Sequence, residues 1–235
     1  MKVDTKEKNP AFESIMQDTE QTVFLDANFF IPPDRSSFSN IKPYSFSNFK
    51  ENWLIPLLKE FSGLAIHESV YDELVEERVR AYAEEQIMEN PSKLKVHYDL
   101  ELTENEKALM NYYIAKIAVH SQYDPVRNNA KDRGEVRSLS FMAVKKYLFF
   151  AANDALPVCL IKDEEKLETD LEDMGVVQMY ELIYYLYKTG KYNNKQLRIL
   201  YKYQYYLSPN DKRINPEWGA FIEEMNQLYE KCESL

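Results

Sequence analysis

Apolar residues arrive along this chain in two rhythms. Short continuous runs at 22–26, 64–66, 147–152 and 176–179 show no alternation and are bounded by polar or turn residues. Such runs suit strands buried on both faces of a parallel sheet. Between them the apolar positions recur at helical spacing. Val70, Leu74, Val79, Ala83 and Ile87 share one face of the stretch 69–89, which predicts a single amphipathic helix ended by Asn90-Pro91. Thr103 and Glu106 have capping-box spacing ahead of Leu109, Tyr113, Ile117 and His120. Asn48 and Glu51 have the same spacing ahead of Trp53, Leu57, Leu58 and Phe61, with Pro56 as a kink and Gly63 as the stop. Further helices are expected over 134–146 and 164–174. Stretches 31–47 and 122–131 read as loops.

Strands alternating with helices imply an α/β fold, three-layer α/β/α with a mostly parallel central sheet, plus a helical C-terminal extension. The expected division is a polar N-terminal extension over 1–21, a main domain over 22–189 with insertions near 31–47 and 90–131, and a Tyr-rich extension over 190–235. Pro209 and Pro216 break that last stretch into helical pieces. Its tyrosines, Tyr201, Tyr203, Tyr205 and Tyr206 with Tyr184, Tyr185 and Tyr187 just before, suit a core and a partner-facing surface.

Composition narrows the class. The 235 residues are long enough to bury a full core, and 45% apolar with 29% charged residues excludes a wholly disordered chain. Five glycines are few for a turn-rich β-sandwich. No apolar run is long enough for a membrane span, and the first 21 residues lack the apolar centre of a secretory signal. Cys159 and Cys232, far apart and without metal-ligand spacing, read as reduced thiols of a cytoplasmic protein. His67, His97 and His120 are too scattered for zinc, and His67 reads as a structural hydrogen-bonder. Phosphate-cradling glycine loops and serine or cysteine nucleophile signatures are absent. The 39 acids against 29 bases give a net charge of −10, which repels nucleic acid in general.

The placement of those acids reopens the question. Ligands of parallel α/β sheets bind beyond the carboxyl ends of the strands. Asp26 ends the first strand and Asp154 follows the third apolar run, each after apolar residues where an unpaired carboxylate is costly to bury. Glu73 lies at the start of the helix after the second strand, and Glu135 opens the helix leading back to the sheet. Several carboxylates together suit Mg²⁺ or Mn²⁺. Each acid also has a structural alternative. Glu73 fits equally a solvated helix face, Asp132 an N-cap, and Asp154 a turn residue beside Asn153. Asp26 has the weakest such alternative.

In this order the segments resemble those of the PIN-domain nucleases. Val23-Phe-Leu-Asp-Ala-Asn-Phe-Phe-Ile31 is similar to the family's opening strand, and Val70-Tyr-Asp-Glu-Leu74, Asp132-Arg-Gly-Glu135 and Phe149-Phe-Ala-Ala-Asn-Asp154 to its three later acidic motifs. The resemblance covers roughly residues 22–188. It implies that Asp26, Glu73, Glu135 and Asp154 hold Mg²⁺ or Mn²⁺ and hydrolyse RNA, with Asn28 and Asp132 supporting the ligands from behind. Lys131, Arg133 and Arg137 are then the candidate phosphate contacts. A free-standing chain of this kind resembles the toxin of a toxin–antitoxin pair, which implies an antitoxin or other protein partner, or a homodimer, and no membrane. The alternative function is an inactive PIN-like scaffold binding a protein through its helical tail. Tyr44, Phe46 and Phe49 are candidates for stacking on bases, or for packing beneath a loop.

Overall fold

The computed structural model describes residues 2–32 and 44–230. Among these, five strands form one sheet: β1 (Val23–Leu25), β2 (Leu64–His67), β3 (Lys95–His97), β4 (Phe149–Ala151) and β5 (Gly175–Val177). Their order is β3-β2-β1-β4-β5 and every pairing is parallel. In chain order the helices are α1 (Pro10–Gln17), α2 (Phe46–Phe49), α3 (Ile55–Glu60), α4 (Glu68–Glu73), α5 (Glu77–Met88), α6 (Glu104–Ala118) and α7 (Arg133–Lys145). After these come α8 (Ala155–Lys162), α9 (Glu164–Leu167), α10 (Met179–Lys188), α11 (Asn194–Tyr205), α12 (Pro209–Ile214) and α13 (Trp218–Tyr229).

The uninterrupted apolar runs follow from burial on both sheet faces. Val23, Leu25, Leu64, Ile66, Phe149, Ala151 and Val177 enter one core, closed by α1, α3, α5, α10, α11 and α13. Phe24, Ala65, Phe150, Ala152 and Val176 enter the other, closed by α6, α7 and α8. The result is a three-layer α/β/α arrangement. No helix among the described residues is long and apolar enough to cross a membrane.

Several elements differ from the sequence reading. Residues 69–89 form two helices because the chain breaks after Leu74, and Glu76 then caps α5 through Val79 N at 3.1 Å. The apolar face continues across the break, so periodicity alone does not reveal it. Ser45, not Asn48, caps the helix near 46, and a π turn at Lys50–Leu54 joins α2 to α3. The short β3 and the helix α8 were not foreseen. Cys159 lies exposed on α8, while Cys232 and residues 33–43 of the Pro- and Ser-rich stretch fall outside the described residues.

The polar N-terminal stretch is built into the core. Asn9 and Pro10 start α1, which buries Ala11, Phe12 and Ile15. Helix and sheet meet closely here, since a Cβ on Gly175 would lie 2.4 Å from that of Ala11. Asn9 Nδ2 donates to Val176 O at 2.8 Å and to Glu181 Oε1 at 2.9 Å. The tail tyrosines likewise turn inward: Tyr184, Tyr201 and Tyr205 are fully buried, and Tyr201 stacks on Phe221 at 4.5 Å. Tyr44 and Phe49 are buried and Phe46 is packed against the same core, so packing, not base stacking, accounts for them.

Glu181 is a carboxyl set deep beneath α1, 1% exposed, and its other oxygen accepts from Gln178 N at 2.8 Å. Burial pushes its carboxyl up to about 7 from an ordinary 4.5. The folded chain therefore holds a proton that the unfolded chain releases, so this stabilisation is complete below about pH 4.5 and lost as pH rises to about 7. Relative to the parent, Glu181→Gln should gain about 3 kcal/mol in unfolding free energy between pH 4 and pH 8. Urea denaturation at the two pH values measures this, and a parallel pH dependence of both proteins would contradict it.

Candidate metal centre

The backbone past β1 carries Asp26 into a site of fixed geometry. Asp26 N donates to Ala151 O at 3.0 Å, extending the β1–β4 ladder by one residue. Its carboxylate then caps the 3₁₀ turn Ala27–Phe29, accepting from Ala27 N at 2.8 Å. Asp154 stands at the start of α8, exposed and making no capping bond. Its neighbour Asn153 is buried and accepts from Met179 N at 3.0 Å and Tyr205 Oη at 3.3 Å, which pins the end of β4 to the tail. Glu135 is half-buried in the first turn of α7. One carboxylate oxygen from each of Asp26, Glu135 and Asp154 lies within 4.8 Å of the others.

Glu73 stands beside this trio, outside that 4.8 Å grouping. From the end of α4 it accepts a hydrogen bond from Gly134 N at 2.9 Å. A Cβ at 134 would lie 2.6 Å from Glu73 Oε1, so a larger residue there would displace this carboxylate. None of the four acids forms an ion pair among the described residues. Burial, then the charges of Glu135 and Asp154, hold the Asp26 carboxyl well above its usual range. Glu135 is raised mainly by burial. Burial and Glu135 push Glu73 up to about 7, opposed by the Gly134 amide.

A divalent cation fits this donor set. The ligands offered are all carboxylate oxygens, the type that hard cations select. Asn28, on the turn that follows Asp26, has both side-chain polar atoms sealed from solvent without a hydrogen-bond partner. Such orphans are rare in folded proteins unless a water or ligand completes them.

Other expected residues lie elsewhere. Asp132 has a left-handed backbone, φ 55°, and does not cap α7. Its carboxylate is turned aside to accept from Gln122 N at 2.8 Å and to contact Lys131 Nζ at 3.2 Å. That removes the N-cap reading, because the side chain serves the preceding loop. Arg137 is taken up by Asp99, to which its guanidinium donates. Around that pair the fold builds a polar group that sequence reasoning missed. His67 Nε2 lies 3.0 Å from Asp99 Oδ1, His67 Nδ1 lies 2.7 Å from Ser69 Oγ, and Asp99 N donates to Glu68 Oε1 at 3.0 Å. Burial drives the His67 pKa down to about 4, so the ring is neutral at pH 7 and acts as a structural hydrogen-bonder. His67, Glu68 and Asp99 are also close enough together to hold a metal, but Arg137 already places a cation on Asp99. The signal that could have found this group is a polar residue ending each of two neighbouring strands, legible only once β3 is recognised.

Two outcomes follow from this electrostatic arrangement. Without metal, the raised carboxyls favour protonation in the folded chain, so stability should fall as pH climbs from about 4.5 to about 7, the window set by Glu73. Asp26→Asn should therefore raise the melting temperature of the metal-free protein at pH 8 by at least roughly 2–4 °C, the effect of about 1 kcal/mol at this size. It should also abolish the stabilisation by Mn²⁺, about 2.7 kcal/mol at a hundredfold excess over Kd in the parent. Thermal denaturation with and without Mn²⁺ checks both. Gly134→Ala should keep the melting temperature within roughly 4 °C, because the better helix former offsets local crowding. By displacing Glu73 it should weaken Mn²⁺ binding about tenfold, as read by calorimetry.

No protein-family model matches the chain, and no curated protein or solved structure matches it.

Proposed function

We propose that this chain is a metal-dependent endoribonuclease that hydrolyses RNA phosphodiester bonds with Mg²⁺ or Mn²⁺. The observation that carries the reading is the meeting of Asp26, Glu135 and Asp154 beyond the carboxyl ends of β1 and β4, with no cation of the protein's own ion-paired to them among the described residues. The strand order reverses between these two strands, which is where open parallel sheets bind ligands. The resemblance of four segments to the PIN-domain nucleases supports RNA as the substrate.

Asp26, Glu135 and Asp154 would hold the cation, with Glu73 alongside. When bound, such an ion activates water for attack on phosphorus and offsets the charge that develops on the phosphate. Asp26 is oriented by Ala27 N and by the ladder bond to Ala151, so its carboxylate is preorganised. Glu73, its carboxyl raised to about 7 and fixed by Gly134 N, can accept or hold a proton beside the reacting water near neutral pH. Asn28 offers an amide that can orient that water.

The test is cleavage of a mixed RNA pool by the full chain. Hydrolysis should need Mg²⁺ or Mn²⁺, stop with a chelator and leave 5′-phosphate ends. Asp26→Asn and Asp154→Asn should each lower kcat/KM by about 10²-fold or more. Cleavage that persists in both variants, or that needs no metal, would sink the assignment. Mn²⁺ binding without cleavage of any RNA would favour the inactive scaffold.

A further inference from the structure

We propose that Arg133 binds a phosphate of the RNA backbone flanking the cleaved bond. The inference rests on the reading of the acid trio as a cleavage centre and adds a substrate contact to it.

Six basic residues surround the start and end of α7. Five are committed to acids: Arg127 Nε lies 3.3 Å from Asp124, Lys131 Nζ 3.2 Å from Asp132, Lys145 Nζ 2.9 Å from Glu106 and Lys146 Nζ 4.0 Å from Asp173, while Arg137 is bonded to Asp99. Arg133 forms no ion pair among the described residues. Its Nε is sealed from solvent and has no acceptor, whereas its terminal nitrogens are not among the sealed atoms. A buried guanidinium N–H without an acceptor costs about 1–3 kcal/mol or more, and native structures keep few such groups. The terminal nitrogens, which also lack an acceptor among the described residues, are the ones that a phosphate arriving with the substrate can reach.

Geometry assigns it to a flanking phosphate. Successive helical residues turn by about 100°, so Arg133 and Glu135 project in divergent directions from α7. Gly134 N holds Glu73 between them, and the Arg133 charge acts on Glu73. The guanidinium thus stands on the Glu73 side of the acid group, off the trio itself. Its planar fork matches phosphate oxygens in a two-bond contact that an ammonium cannot copy. On a chain of net charge −10 that repels nucleic acid broadly, a cation beside the site that is uncommitted among the described residues would set the register of the strand without giving general affinity.

The experiment uses the full chain carrying Asp26→Asn to suppress cleavage, without added metal, and a labelled single-stranded oligoribonucleotide titrated across a salt series. Adding Arg133→Ala should weaken binding about tenfold and reduce the slope of log K against log salt by about 0.7. Arg133→Gln should behave alike, which guards against a folding defect in the alanine variant. Arg133→Lys should keep the slope and recover only part of the affinity. In the otherwise unmodified chain, Arg133→Ala should raise KM about tenfold with kcat changed by less than about twofold, whereas acid variants lower kcat. Unchanged affinity and slope in both neutral variants would overturn the phosphate contact and leave metal-dependent cleavage standing. Loss of binding in those variants of a chain that cleaves no RNA would support the contact and remove the nuclease reading. Failure of the Asp26→Asn chain to bind RNA at all would also overturn the contact.

Discussion

Between β1 and β4 the sheet reverses its direction of growth, and the bond from Asp26 N to Ala151 O carries that junction one residue past the strands. This bond fixes a carboxylate at 2% exposure in a place where water cannot solvate it fully. The other features of the edge answer that placement. Glu135 and Asp154 converge on the same point and intensify the repulsion, and no ion pair forms to them among the described residues. A protein that only needed stability would be better served by apolar residues there. The arrangement is intelligible as a site whose charge is completed from outside.

Helix α7 transmits position to that edge. Its first turn presents Glu135 and gives the Gly134 amide to Glu73, its middle gives Arg137 to Asp99, and Lys145 at its end reaches Glu106 on α6. The helix is also buried on the sheet side through Val136, Leu139, Phe141 and Met142. The satisfied polar group around Asp99 and the unsatisfied acids around Asp26 therefore sit on one rigid element. Strain from the second can be borne by the packing and bonds of the first.

Much of this was legible in the chain itself. Val23-Phe-Leu before Asp26 announces a buried strand with an acid at its end, because an unpaired carboxylate is costly to place among apolar residues. Thr103 and Glu106 form the capping box their spacing announces. The losses have physical causes. β3 has three residues, two of them Lys95 and His97, and its identity comes from pairing with β2 and not from hydrophobicity. The role of Asp132 depended on a left-handed backbone that spacing does not encode. Arg137 falls on the helix expected for it, whereas Glu73, expected near the start of one long helix, ends the first of two, and which partner each would meet was a matter of tertiary contact. The helical tail was visible, yet its tyrosines gave no sign that Tyr205 would reach Asn153 and so brace the strand that carries Asp154.

One small contact reaches beyond the site. In β5, Gly175 N and Val177 O bond toward β4, which turns the carbonyl of Val176 outward, where Asn9 Nδ2 takes it. A three-residue border strand whose outward acceptor is already occupied by a side chain offers no template for another strand. Continuation of this sheet into a neighbouring molecule is closed at that margin, and any such continuation would have to begin at β3.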